Sequence, residues 1–135
     1  MSQNKIVIAS ALLLNADNDL LVVRKKKSIF YMLPGGKVEC NESYKDALLR
    51  ELKEELELEF TYDDFEYLGK HETQAVNEKN TIVEGNIFLL KSPLIHLPTS
   101  NAELEEVRFV SKVTHEKFQL AHLLKEFALP IWMNL

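Results

Sequence analysis

Apolar runs broken by short polar clusters divide the chain into extended and helical stretches. Residues 5–14, KIVIASALLL, are almost continuously apolar and predict a buried strand. NADND follows and reads as a turn, because Asn and Asp bond their own backbone. LLVVR at 20–24 then predicts a return strand, closing a hairpin with the first. Residues 25–28, KKKS, read as a solvated loop, and 29–34, IFYMLP, as a short extended piece that stops at Pro34. GGKVE at 35–39 pairs two glycines where a side chain would block a turn or a close approach.

From 42 to 58 the period changes. Leu48, Leu52 and Leu56 recur every four residues, the apolar stripe of a helix, with Asn41 or Ser43 as its cap. Residues 65–76 and 81–91 predict a second hairpin, joined near NEKN. A loop with two prolines covers 92–100, and 103–111 predicts another strand. HEKFQLAHLLKEFAL at 115–129 predicts an amphipathic helix ended by Pro130. Strands and helices are mixed without regular alternation. The expected fold class is α/β in the broad sense (α+β), a mixed β-sheet sandwiched between α-helices. No repeat or linker divides the chain, so one domain over 1–135 is expected.

Composition adds limits. A formal net charge of −5 gives no general attraction to nucleic-acid polymers or anionic membranes. An anionic substrate would need local neutralisation, and a bound cation is the obvious means. The lone cysteine, Cys40, forms no internal disulfide, which suits a reducing, cytoplasmic setting. The run after Lys5 faintly resembles a signal peptide but lacks a cleavage site, and a strand is the better reading. The four histidines have no ligand spacing among themselves, and Trp132 reads as core or as a dimer contact.

The candidate chemistry lies on the first helix. At about 100° per residue, Glu51, Glu54 and Glu55 fall within one arc beside the leucine stripe. Carboxylates so close repel one another unless a cation sits among them, and hard oxygen donors suit Mg²⁺ or Mn²⁺. A glutamate-rich helix face is usually only solvated. The residues before it change that balance. Gly36, Glu42, Arg50, Glu51, Glu54 and Glu55 stand at the spacing G-x5-E-x7-R-E-U-x-E-E, with Leu52 at the aliphatic position. Six fixed positions would match by chance about once in 10⁸ starts at roughly one in twenty each, and somewhat more often because Glu is common in helices.

That spacing resembles the Nudix box, the signature of the Nudix hydrolases. One position departs: Glu57 stands where the family usually has a glycine that eases the turn at the helix end. FYMLPGGKVE is similar to the family's lead-in, and AELEEVRFVS to its acidic strand before the last helix. The resemblance implies a divalent cation, Mg²⁺ with Mn²⁺ as the alternative, held by Glu51, Glu54, Glu55 and the carbonyl of Gly35 or Gly36. It implies that Arg50 orients the glutamates and that Glu42 braces the loop. The proton acceptor would be Glu54 or Glu51, with Glu103 the second candidate. Arg24 and Lys26, in the basic run before the glycines, are candidates for substrate phosphates. The implied activity is cleavage of a diphosphate bond in a small nucleotide. Marks of the ADP-ribose, dinucleoside polyphosphate and coenzyme A groups are lacking, which favours a (deoxy)nucleoside triphosphate, oxidised forms included. A homodimer is the expectation the family carries. The alternatives are a nucleotide sensor that does not cut, an isomerase of the same superfamily, for which Cys40 is poorly placed, and a plain mixed α/β domain.

Overall fold

The computed structural model describes residues 4–101 and 103–135. Its order is β1 Asn4–Leu12, β2 Leu20–Lys25, β3 Gly35–Lys37, α1 Tyr44–Leu56, β4 Phe65–Gln74, β5 Thr81–Leu90, β6 Leu104–Val110 and, near the end, α2 Leu129–Met133. One mixed sheet runs β3-β1-β5-β4, with β1 and β5 parallel and the other pairs antiparallel. A second, two-stranded antiparallel sheet joins β2 to β6.

The first sheet has helices on both faces, as the apolar pattern predicts. Period-two alternation sends Ala9, Ala11 and Leu13 towards Ala47, Leu48, Leu52 and Leu56 of α1. The opposite parity sends Leu12 and Ile87 towards Leu123, Leu124, Ala128 and Trp132. The second hairpin, β4–β5, forms as predicted, with a bulge between Tyr67 and Gly69. Trp132 is fully buried in the core, and its Nε1 donates to the Asn18 carbonyl at 2.8 Å. Among the described residues no helix is long and apolar enough to cross a membrane.

Two local expectations are corrected. The first hairpin pairs only at its neck, through the Leu14–Leu20 bridge and the Leu21 N–H to Leu13 carbonyl bond of 2.9 Å. Beyond it β1 and β2 diverge into different sheets, because β2 finds its long partner in β6. Gly35 and Gly36 open the short edge strand β3. The last helix neither begins at 115 nor ends at Pro130. Residues 118–121 are drawn out against the IFYMLP segment, where Tyr31 N–H donates to the Gln119 carbonyl at 2.7 Å and Ala121 N–H to the Tyr31 carbonyl at 2.8 Å. A π-helical stretch, Leu124–Ala128, follows and closes with Leu129 N–H on the Leu124 carbonyl. Pro130 then lies in the first turn of α2, directly after that wide turn.

α1 is capped by Ser43, whose Oγ accepts the Asp46 N–H at 3.0 Å. It ends at Glu57 in the left-handed conformation, φ 56° and ψ 32°, with the Glu57 N–H closing the turn on Leu52 and Lys53 carbonyls. The turn that glycine would ease is therefore made by glutamate, at a backbone cost of about 1–2 kcal/mol. Glu57→Gly is expected to raise stability by about 0.5–1 kcal/mol, net of the lost side chain, read as a higher urea midpoint at unchanged slope. A lower midpoint would mean that the contacts of the Glu57 carboxylate outweigh the backbone relief.

Candidate active site

The site is built around Arg50, on the first turns of α1. Its Nε and Nη2 grip Glu42 in a fork, at 2.6 and 2.9 Å. Nη1 donates to Glu51 at 2.9 Å and to Glu54 at 3.3 Å, and Nη2 also donates to the Lys37 carbonyl at 2.9 Å. Glu42 in turn accepts the Glu39 N–H at 2.9 Å, which pins the loop between β3 and α1. The Arg50 guanidinium holds the Glu42 carboxyl down at about 2, and the carboxylates, Glu42 foremost, push the Arg50 pKa up.

Glu51 and Glu55 lie against consecutive backbone units. The Glu51 carboxylate sits so close to Gly36 that a Cβ there would overlap it. The Glu55 Oε1 accepts the Gly35 N–H at 3.4 Å. Gly35 has φ +144°, and a Cβ on it would strike the Ala9 carbonyl, so Gly35 is required by conformation and by approach, and Gly36 by the approach of Glu51 alone. Burial raises the Glu51 pKa despite Arg50. Glu55, only 6% exposed, is pushed up to about 7, first by burial and then by the neighbouring Glu51 charge. Glu103 adds to the negative field at Glu55, while Lys25 opposes it at both Glu51 and Glu55.

Among the described residues no three acidic, histidine or cysteine side chains converge on one point as they stand. Glu54 is turned outward, its side chain 57% exposed and tethered to Arg50. Two carboxylates, one of them buried with no cation in hydrogen-bonding contact, set against the Gly35–Gly36 backbone nevertheless form a donor set that suits a hard divalent ion. Glu54 would join them by swinging from Arg50.

Beside this acidic corner a cavity of about 130 Å³ opens between the two sheets and the start of the C-terminal helical segment. Ile6, Ile8, Val23, Met32 and Val83 give it apolar walls, and Glu55, Gly35, Gly36 and Lys25 line its acidic end. Gln74, Asn77 and His122 add polar groups, with His122 Nδ1 at 3.1 Å from the Gln74 carbonyl.

The basic run divides between the cavity lining and the surface outside it. Arg24 turns away from the cavity: it donates to the Ser28 carbonyl at 2.9 Å, pairs with Glu106 at 3.5 Å and lies over the Tyr31 ring. Lys26 is exposed and does not line the cavity. Lys25 takes that place. Period two along β2 carries the signal, since Lys25 shares a face with Val23 and opposes Arg24. Glu103 is held by its backbone, with N–H on Asn101 Oδ1 at 2.9 Å and carbonyl accepting the Lys26 N–H at 3.3 Å. Cys40 is exposed, in the loop between β3 and α1, and Glu105 and Glu106 lie on β6.

The model of the NUDIX domain matches residues 4–128. An ADP-ribose pyrophosphatase of Methanocaldococcus jannaschii is 41% identical over 46 residues, 32% of this chain and 27% of that one. An 8-oxo-dGTP diphosphatase of Proteus vulgaris is 34% identical over 65 residues, 45% of this chain and 58% of that one. The matches thus span only part of either curated relative. Among solved structures, the E. coli dihydroneopterin triphosphate pyrophosphohydrolase superposes with a TM-score of 0.80, covering 100% of both chains at 14% identity, a likeness of fold.

A pH dependence follows from the fork. The Glu42 pKa is lowered from 4.5 to about 2, so its stabilising contribution is complete above the ordinary value and is lost as pH falls through about 2. Arg50→Met should therefore lose more stability, relative to the unaltered protein, near pH 6 than near pH 2.5, read as the gap between urea midpoints. A gap that stays constant across that range would mean that Glu42 does not depend on Arg50.

Proposed function

The chain belongs to the Nudix family, and on that premise we propose that it is a hydrolase that splits a diphosphate bond in a nucleotide with the help of a divalent cation. One observation carries this reading: an apolar cavity ends at Glu55, Gly35 and Lys25, so a bound molecule would lie with one end in the slot and the other at the acidic corner. At about 130 Å³ the slot is smaller than the roughly 300–1,000 Å³ of a typical ligand pocket. It suits a flat heterocycle, with sugar and phosphates outside it towards Glu55 and Lys25. A (deoxy)nucleoside triphosphate, canonical or oxidised, giving nucleoside monophosphate and pyrophosphate, is the substrate we assign. We take residues 1–135 as one domain for this activity.

Glu51, Glu54, Glu55 and a carbonyl of Gly35 or Gly36 would hold Mg²⁺, or Mn²⁺ in its place. When bound, the ion offsets the charge of the diphosphate and lowers the pKa of water. Arg50 orients Glu51 and Glu54, and Glu42 holds Arg50. Lys25 supplies the positive charge that faces the substrate. The proton acceptor we favour is Glu103. Glu51 and Glu54 both have an oxygen occupied by Arg50, whereas among the described residues no hydrogen bond or ion pair engages the Glu103 carboxylate.

The test is a panel of canonical and oxidised nucleoside triphosphates, ADP-ribose, NADH, diadenosine polyphosphates and a nucleotide sugar, with Mg²⁺ or Mn²⁺, beside Glu54→Gln. The expected result is nucleoside monophosphate plus pyrophosphate from a triphosphate, dependent on the ion and lost in the variant. Cleavage of ADP-ribose alone would overturn the triphosphate assignment and keep the hydrolase. Nucleotide binding without cleavage of any compound would favour a sensor instead.

A further inference from the structure

We propose that Asn101 is a positioning residue of this reaction: it ties the C-terminal end of α1 to the loop that carries Glu103, and so sets where that carboxylate stands relative to Glu55. The inference rests on the hydrolase reading and on Glu103 as the proton acceptor. The last carbonyls of a helix have no partner within it. Here two of them belong to Glu54 and Glu55, whose side chains are candidate ligands. Asn101 takes both, Nδ2 donating to the Glu54 carbonyl at 3.1 Å and the backbone N–H to the Glu55 carbonyl at 3.0 Å. Its Oδ1 accepts the Glu103 N–H at 2.9 Å, and its carbonyl accepts the Leu104 N–H at 3.3 Å. All four polar groups of one residue thus join the helix end to the loop and to the start of β6.

The helix does not need Asn101 to stop. Its own turn at Glu57 already closes on Lys53 and Leu52 carbonyls. What Asn101 adds is registration between two segments that sequence separates by 45 or more residues. Asparagine suits the task because a short side chain must offer one donor and one acceptor together. Aspartate keeps the acceptor for Glu103 but loses the donor and places a negative charge at the helix C-terminus, where the dipole disfavours it.

The experiment compares Asn101→Ala, Asn101→Asp, Glu103→Gln and the Asn101→Ala/Glu103→Gln double variant on the triphosphate that the unaltered protein cuts, with melting temperatures alongside. Misplacing a reacting group by about 1 Å costs up to ~100-fold, so Asn101→Ala is expected to lower kcat by about tenfold or more while KM moves by less than about threefold. Asn101→Asp should recover part of that loss. In the Glu103→Gln background, Asn101→Ala should cost nothing further, because the group it positions is gone. Losses that multiply in the double variant, or a lowered melting temperature with kcat unchanged, would overturn the proposal and leave Asn101 a structural cap. Should Asn101→Ala not fold, the same cycle is run with Asn101→Asp. An unaltered protein that cuts nothing would remove the hydrolase reading and this role with it, whereas multiplying losses in an active protein remove this role alone.

Discussion

Five N–H groups of a single guanidinium hold the acidic corner together. Arg50 spends them on both oxygens of Glu42, on Glu51, on Glu54 and on the Lys37 carbonyl. Arginine has five donors in a rigid plane, so the set is complete; lysine has three on one point and would leave acceptors unmatched. Without that plane, three carboxylates in a chain of net charge −5 would face one another across a few ångströms. The contact also crosses elements. Through Glu42 and Lys37 it fastens β3 and the following loop to α1, and through Glu51 and Glu54 it sets the side chains of the helix face.

The two glycines convert that fastening into a surface. Because neither has a Cβ, the edge strand comes close enough for Glu51 to rest on Gly36 and for Glu55 to reach the Gly35 N–H. Gly35 in turn pairs with Ser10 across β1–β3, which places the acidic corner at the rim of the sheet. The cavity begins there. It exists because β1 and β2 part after the neck of their hairpin, so that Ile8 and Val23 face a common space from different sheets. The same divergence that defeats the simple hairpin reading opens that space.

The acidic corner was legible in the sequence because it is local. Gly36 through Glu55 form one continuous stretch, and helix period plus spacing place Arg50, Glu51, Glu54 and Glu55 without knowledge of the rest of the chain. The parts that escaped depend on contacts between distant segments. The stretch 115–121 has the apolar spacing of a helix, yet backbone pairing with Tyr31 outweighs that propensity. Pro130 looks like a stop until a wide π-helical turn delivers it to the start of a new helical turn. Lys25 and Arg24 carry the same charge, and only strand parity, set by which face of β2 meets the cavity, separates them. Asn101 sits in a loop with nothing to mark it, since its meaning lies in the carbonyls of Glu54 and Glu55.

The departure at Glu57 belongs to the same corner. Glycine would make the left-handed turn with no backbone cost and bring no side chain. Glutamate accepts that cost and extends a carboxylate to the Thr99 hydroxyl at 2.7 Å. Two residues further along the same loop, Asn101 grips the helix end directly. The C-terminal end of α1 is therefore fastened twice to one loop, and that loop leads to Glu103. A rigid helix with a freely moving partner loop would leave the distance between Glu55 and Glu103 undefined. The strained turn at Glu57 is therefore better explained by what its side chain holds than by the turn itself.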